Sequence, residues 1–238
     1  MSAPTTGPAV TICVLAFNEA ANLAATVREL HVELIRLSRP FELLLINDGS
    51  TDGTREVMEE LATELTCVRL IHHPVNQGLG GVYRTGFAEA RGEFVTFFPA
   101  DGQFPPGILT QFLPHMATND LVLGYLPERP CGLAARFLSW AERALLRVLL
   151  GQLPRFQGVM MFRRELLDRI PLHSQGRGWM IVMELILKAS REGCRITSLP
   201  TSVRPRLSGE SKVKNLRTIC SNLRQLLAFA WQVRRSLR

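Results

Sequence analysis

The chain has 238 residues, 46% of them hydrophobic, enough for one large domain, or a domain with a small appendage, folded around its own core. Its formal net charge of +7 calls for an anionic partner, which nucleic acid, anionic lipid or a phosphorylated ligand would each satisfy. The cysteines (Cys13, Cys67, Cys131, Cys194, Cys220) are odd in number and without C-x-x-C spacing, which argues against a disulfide framework or zinc site and points to reduced thiols in a cytoplasmic setting.

Residues 10–17 form an apolar strand, and Asn18-Glu19 opens a helix striped by Leu23, Val27, Leu30 and Leu34. A second strand covers 41–47, a loop 48–53, and a second helix carries Val57, Met58, Leu61 and Leu65 on one face. A third strand is expected over 68–71, then a polar loop to Gly81 and a helix ending near Ala90. The segment 93–98 has the aromatic and β-branched content of a buried strand, stopped by Gly102, Pro105 and Pro106. Later strands are expected over 121–124, 159–162 and 195–203, and helices over 133–150, 180–190 and 215–237. This strand–helix alternation predicts an α/β fold, a mostly parallel central sheet flanked by helices on both faces. The expected organisation is one catalytic domain over 1–212 and a basic amphipathic helix over 213–238.

In such sheets ligands bind beyond the carboxyl ends of the strands. The Asn18-Glu19, Asp48–Asp52 and Asp101–Gln103 loops are therefore expected to converge. Asp101 and Gln103, two residues apart, can direct side-chain oxygens at a hard cation such as Mg²⁺ or Mn²⁺; the plainer alternative is that Asp101 opens a turn. Asp48-Gly49-Ser50-Thr51-Asp52-Gly53 approximates a calcium loop, but it follows a strand, and a turn with a helix cap at Thr51 and Asp52 is simpler. Gly78 and Gly80 either start a helix or allow close backbone approach to a ligand. Arg206, Ser208, Ser211 and Lys212 surround Gly209 after the last strand, as a loop closing over a diphosphate would, or as a solvated basic loop. His72 and His73 have no partners at metal spacing and are assigned to the surface; Cys13 and Trp140 are assigned to packing.

Taken together, Leu15-Ala16-Phe17-Asn18-Glu19, the run from Ile46 to Thr54, Asn76-Gln77-Gly78-Leu79-Gly80, Ala100-Asp101-Gly102-Gln103 and the run from Arg206 to Lys212 resemble the family 2 glycosyltransferases. The subgroup they look most like is the dolichol/polyprenyl-phosphate sugar synthases. The resemblance implies the nucleotide-sugar-binding glycosyltransferase A-type fold, a Mg²⁺ or Mn²⁺ cofactor, and inverting transfer of a hexose from a nucleoside-diphosphate sugar to a polyprenyl phosphate. It implies that Ala16, Phe17 and Glu19 line the nucleoside pocket, that Asp48 binds base or ribose, and that Gly78 and Gly80 approach the donor. Asp101 and Gln103 fall at the metal and diphosphate, Arg206, Ser211 and Lys212 at the donor phosphates, and Arg129, Arg136 and Ser139 at the acceptor phosphate. The chain departs from the pattern at Pro99, where the family usually has another Asp, at Leu126, where it often has Arg, and near Pro154, where Asp is common.

A phosphate acceptor is already anionic and needs no general base, whereas a hydroxyl acceptor needs a placed carboxylate, for which Glu184 is the only candidate. A transferase using a hydroxyl acceptor and a nucleotide-sugar-binding scaffold without activity stand as alternatives. Seven cations and no acidic residue follow Glu210, so the last helix suits an anionic membrane surface, equally with packing on the domain or a partner. Nucleic acid is not expected as a partner, because only Phe229 and Trp231 offer stacking there. Residues 1–8 lack signal-peptide character, and no apolar run reaches the ~18 residues of a membrane span. The expected location is cytoplasmic, with a peripheral position on the cytoplasmic face of the membrane left open.

Overall fold

A computed structural model describes residues 7–127 and 154–205. The expected helices over 133–150 and 215–237, and Arg129, Cys131, Arg136, Ser139, Trp140, Arg206, Ser211, Lys212 and Cys220, lie outside the described residues. The first half alternates β1 (Val10–Ala16), α1 (Ala20–Arg36), β2 (Phe41–Asn47), α2 (Thr54–Glu64), β3 (Val68–His72), α3 (Gly78–Glu89) and β4 (Phe94–Pro99). There follow α4 (Gly107–Phe112), a 3₁₀ turn (Leu113–Ala117), β5 (Leu121–Tyr125), β6 (Met160–Arg163), α5 (Glu165–Arg169), α6 (Met180–Arg191) and β7 (Ile196–Pro200).

The strands form one seven-stranded sheet in the order β3-β2-β1-β4-β6-β5-β7. All are mutually parallel except β6, which runs antiparallel to both β4 and β5. The carboxyl ends of the other six strands therefore share an edge with the amino end of β6. Alternation along the strands explains the two layers around the sheet. Ile12 and Val14 of β1 and Leu43 and Leu45 of β2 pack with α1, α2 and α4. Cys13, Leu44, Ile46 and Phe97 face the opposite way, into a core shared with α3 and α6.

Local chemistry sets the ends of these elements. β1 stops at Ala16 rather than at residue 17 because Asn18 adopts a left-handed backbone, φ 53°. α3 starts at Gly78, not beyond Gly81, so the glycines are its first turn. α4, which was not expected, begins just past Pro106, whose φ of −58° already suits a helix start. Pro99 is tolerated at the end of β4 because its nitrogen points toward β6, whose pairing stops at Thr96, while the next amide, Ala100 N–H, reaches Leu15 O at 2.9 Å.

Candidate nucleotide and metal site

The chain runs outward from β1 through β2 to β3 and then returns to place β4 on the other side of β1. The strand order therefore reverses between β1 and β4, and a ligand crevice in such a sheet opens beyond the carboxyl ends of that pair. Phe17, Asn18 and Glu19 leave β1 there, and Ala100, Asp101, Gly102 and Gln103 leave β4.

The loops at this edge are tied to one another. Asn18 N–H donates to Ser50 Oγ at 2.9 Å, Thr51 N–H donates to Asn18 Oδ1 at 2.8 Å, and Glu19 N–H donates to Thr54 Oγ1 at 2.9 Å. Asp52 accepts from Ala20 N–H at 3.2 Å and Thr54 N–H at 3.0 Å, so it serves the first residue of both α1 and α2. Burial works to raise the Asp52 pKa, but the Thr54 hydroxyl, which also donates to Oδ1, and these backbone donors outweigh it and hold the carboxyl below the usual aspartate value. The N-cap position of α2 falls on Gly53 rather than on the expected Thr51 or Asp52; Asp52 braces the helix start from one residue earlier, and Thr51 supplies a crosslink between loops.

Asp48 is 3% exposed, and its carboxylate organises the next loop. Oδ1 accepts from Gln77 N–H and Oδ2 from Gly78 N–H, at 2.8 and 2.9 Å, at the start of α3, where the helix dipole favours a negative charge. His73 Nδ1 also contacts Oδ1 at 2.8 Å, and His73 Nε2 contacts Thr85 Oγ1 at 2.8 Å. The expectation that His73 lies at the surface is therefore corrected. Its backbone N–H extends the β2–β3 ladder to Asn47 O, which turns the ring inward, and His73 is 8% exposed.

Gly78 and Gly80 are glycines for a reason internal to the chain. A Cβ on Gly80 would stand 2.1 Å from the Gly176 carbonyl oxygen, and one on Gly78 would stand 2.7 Å from the Arg177 carbonyl oxygen. Gly80 N–H donates to that Arg177 oxygen at 2.9 Å, and Arg84 Nη1 donates to the Gly176 oxygen at 3.0 Å, so α3 carries the loop before α6 on its first turns. Ala16 is buried as well, its carbonyl accepting Asp48 N–H at 2.9 Å, while Phe17 beside it is half-buried.

At the end of β4, Asp101 is 6% exposed and Gly102 turns the backbone through φ 70°. Gln103 N–H donates to Asp101 Oδ1 at 3.1 Å, so Asp101 does set a turn while standing at the crevice. Thr26 of α1 donates its hydroxyl to Ala100 O at 3.1 Å, and Arg204 N–H donates to Gln103 O at 2.7 Å. That last bond places Arg204 beside the end of β4. Among the described residues no three His, Cys, Asp or Glu side chains gather as a metal cage. One carboxylate and one amide at a strand end fit a hard cation that takes its remaining oxygens from a diphosphate and water, as Mg²⁺ and Mn²⁺ do.

Farther along the edge, Arg155 lies over the Tyr125 ring, 5.5 Å from its centroid, and Phe104 packs where Gly158, φ 104°, leaves room. Neither contact was expected from sequence. Glu184 does not present itself as a free base. It is 3% exposed, accepts from His173 N–H at 3.0 Å on both oxygens and from Ser174 N–H at 2.8 Å, and pairs with Lys188 at 2.8 Å. Burial pushes its pKa up, but the Lys188 ammonium and the backbone donors bring it below the ordinary glutamate value. A groove of about 590 Å³ lined by Pro8, Glu42, Cys67, Arg69 and Arg91 opens at the amino ends of β1 to β3, the edge opposite the crevice and the wrong one for a nucleotide in a parallel sheet. Among the described residues no helix is long and apolar enough to cross a membrane.

Comparison with known proteins agrees with this geometry. A family model described as glycosyl transferase family 2 matches residues 11–171. The chain is 27% identical to glycosyltransferase AglD of Haloferax volcanii over 98% of its own length, and it spans 38% of that relative. It is 29% identical to an undecaprenyl-phosphate mannosyltransferase of Micrococcus luteus, over 72% of this chain and 75% of the relative. It is 28% identical to a dolichol-phosphate mannosyltransferase of Mycosarcoma maydis, over 87% and 74% respectively. Among solved structures, glucosyl-3-phosphoglycerate synthase of Mycobacterium tuberculosis in complex with UDP superposes with a TM-score of 0.70 at 21% identity, covering 94% of this chain and 80% of that one. The mannosyltransferase PcManGT of Pyrobaculum calidifontis, in complex with GDP-Man and Mn²⁺, gives 0.67 at 21% identity, covering 96% and 66%. These likenesses establish the nucleotide-sugar-binding glycosyltransferase A-type fold.

Proposed function

The chain belongs to glycosyl transferase family 2, and from that premise we propose that it moves a hexose, with inversion, from a nucleoside-diphosphate sugar to a polyprenyl phosphate. The observation that carries this reading is the position of Asp101 and Gln103 beyond β4, at the reversal of strand order, with Arg204 bonded to Gln103. Asp101 and Gln103 hold the metal end of the donor, and the three laced loops hold its nucleoside end, with Phe17, Glu19 and Asp48 at the pocket. Arg206, Ser211 and Lys212, which follow Arg204 by a few residues, close on the diphosphate, where their charges stabilise the leaving group. A bound Mg²⁺ or Mn²⁺ supplies further charge neutralisation on the departing diphosphate.

The tied carboxylate of Glu184 favours a phosphate acceptor, since the one carboxylate considered as a base for a hydroxyl acceptor is occupied by donors. The names of the Micrococcus and Mycosarcoma relatives point the same way. Arg129, Arg136 and Ser139 are assigned to the acceptor phosphate, residues 1–212 to the catalytic domain, and the basic helix over 213–238 to the membrane surface that holds the lipid. The test begins with thermal shift against UDP-, GDP- and TDP-sugars with and without Mn²⁺, because a ligand that binds only the native state raises its stability. The stabilising donor is then offered with undecaprenyl phosphate and, separately, with soluble hydroxyl acceptors. Metal-dependent transfer to the lipid that Asp101→Asn abolishes is expected. Transfer to the hydroxyl acceptors alone would overturn the acceptor assignment.

A further inference from the structure

The structure holds a buried chain of polar groups that leads from the proposed nucleoside pocket into the fold. It runs from Asp48, beyond β2, through His73, beyond β3, to Thr85 in α3. The geometry points to His73 as a positioning residue for donor binding, one that acts through Asp48 and deepens the proposed function on which it rests.

The chemistry of the groups fixes the protons. An ionised Asp48 can only accept, so Nδ1 of His73 carries the hydrogen toward Oδ1. In the neutral ring Nε2 is then an acceptor and takes the Thr85 hydroxyl proton; in the charged ring Nε2 donates and the same hydroxyl oxygen accepts. Thr85 can thus hold the ring in either form.

The consequence falls on Asp48. Its Oδ1 takes two donors, His73 Nδ1–H and Gln77 N–H, while its Oδ2 takes one, Gly78 N–H. The His73 bond fixes the plane of the carboxylate so that both oxygens reach the first amides of α3. It also makes Oδ2 the oxygen with spare accepting capacity for a base N–H or ribose O–H. Without that bond the carboxylate can rotate, and the 76–78 loop, which is further held by Asn76 Nδ2 on Asp48 O at 3.2 Å, loses its template.

The experiment uses the full-length protein and four substitutions. His73→Asn keeps an amide donor near the Nδ1 position, His73→Gln moves it toward the Nε2 position, His73→Leu removes it, and Thr85→Val removes the hydroxyl that steadies the ring. Two quantities are read: hydrogen exchange at the Gln77 and Gly78 amides without ligand, and binding of UDP and of GDP, each with Mn²⁺. His73→Gln and His73→Leu are expected to weaken nucleotide binding about tenfold, Thr85→Val about threefold, and His73→Asn less than about twofold, in line with loss or retention of a hydrogen bond to a charged group. Exchange at Gln77 and Gly78 should rise in the same order while the β1 and β4 amides stay protected. Nucleotide binding unchanged in His73→Gln and His73→Leu would overturn the inference and leave the proposed function standing. So would equal loss in His73→Asn and His73→Leu, which would assign the effect to packing. Wild-type protein that bound neither nucleotide would overturn the proposed function, and this role of His73 with it.

Discussion

Replacing Glu184 by Gln separates a structural carboxylate from a catalytic one. Two backbone N–H groups and one ammonium converge on this side chain, all within 3.0 Å. A glutamine must turn its NH₂ either toward Lys188 and His173 N–H or toward Ser174 and His173 N–H, so one donor loses its acceptor in each orientation. Loss of charge-assisted bonds at a buried site costs about 1.5–3 kcal/mol. The Lys188 pair adds up to about 1 kcal/mol, modest because that ammonium is partly solvated. A total of about 2–4 kcal/mol corresponds to a fall in melting temperature of about 5–15 °C for a domain of this size.

The same experiment has a pH dependence of definite sign. The native carboxyl ionises below the ordinary glutamate value of 4.5, so its stabilising contribution is fully present at neutral pH and fades as pH falls below 4.5. The gap in melting temperature between wild type and Glu184→Gln should therefore be widest near pH 7 and narrow toward pH 4. Thermal unfolding across that range, with transfer rates measured well below either melting point, reads both effects. Transfer per folded molecule should survive. A variant that melts with the wild type yet has lost transfer while still binding donor would refute the structural assignment and make Glu184 the base.

Substitutions at four further positions test the backbone architecture. Gly80→Ala places a methyl against the backbone oxygens of Gly176 and Gly178, 2.1 and 2.6 Å away; overpacking of about 1–3 kcal/mol and a weakened bond to Arg177 outweigh the roughly 1 kcal/mol gain in helix propensity, lowering stability in urea unfolding. Gly107→Ala, with no atom within 4 Å of the new methyl, should be neutral or raise stability by up to about 1 kcal/mol. Asn18→Ala should cost about 2 kcal/mol, from left-handed backbone strain at φ 53° and loss of the Thr51 bond, with Asn18→Gly recovering the strain portion alone. Ser38→Gly, at an exposed left-handed position just past α1, φ 51°, should raise stability by about 0.5–1 kcal/mol in the same assay.

Much of this fold was legible because its signals are local. The apolar runs of β1, β2 and β4 and the Leu23-Val27-Leu30-Leu34 stripe of α1 identify elements through their own periodicity, and all of these side chains except Leu15, Phe41 and Pro99 are buried. The convergence of the Asn18, Asp48 and Asp101 loops followed from parallel connectivity, since every right-handed β-α-β unit returns its loops to one edge. The short helix α4 was hidden because Pro105 and Pro106 read as a stop, although a proline can also stand at a helix start. The antiparallel β6 was hidden because strand direction leaves no trace in side-chain period.

The sequence by itself determined which residues could form strands and helices and which edge would carry the chemistry, because periodicity and turn chemistry act between neighbours along the chain. Tertiary structure decided what each polar side chain does there. It drew His73 out of solvent onto an aspartate 25 positions away, bound the Glu184 carboxylate to the loop it caps, and pressed Gly80 against residues from the other half of the chain. A carboxylate, an imidazole or a glycine has the same local signature whether it meets a ligand or its own backbone. The partner is chosen only when packing brings distant segments together and every buried donor must find an acceptor.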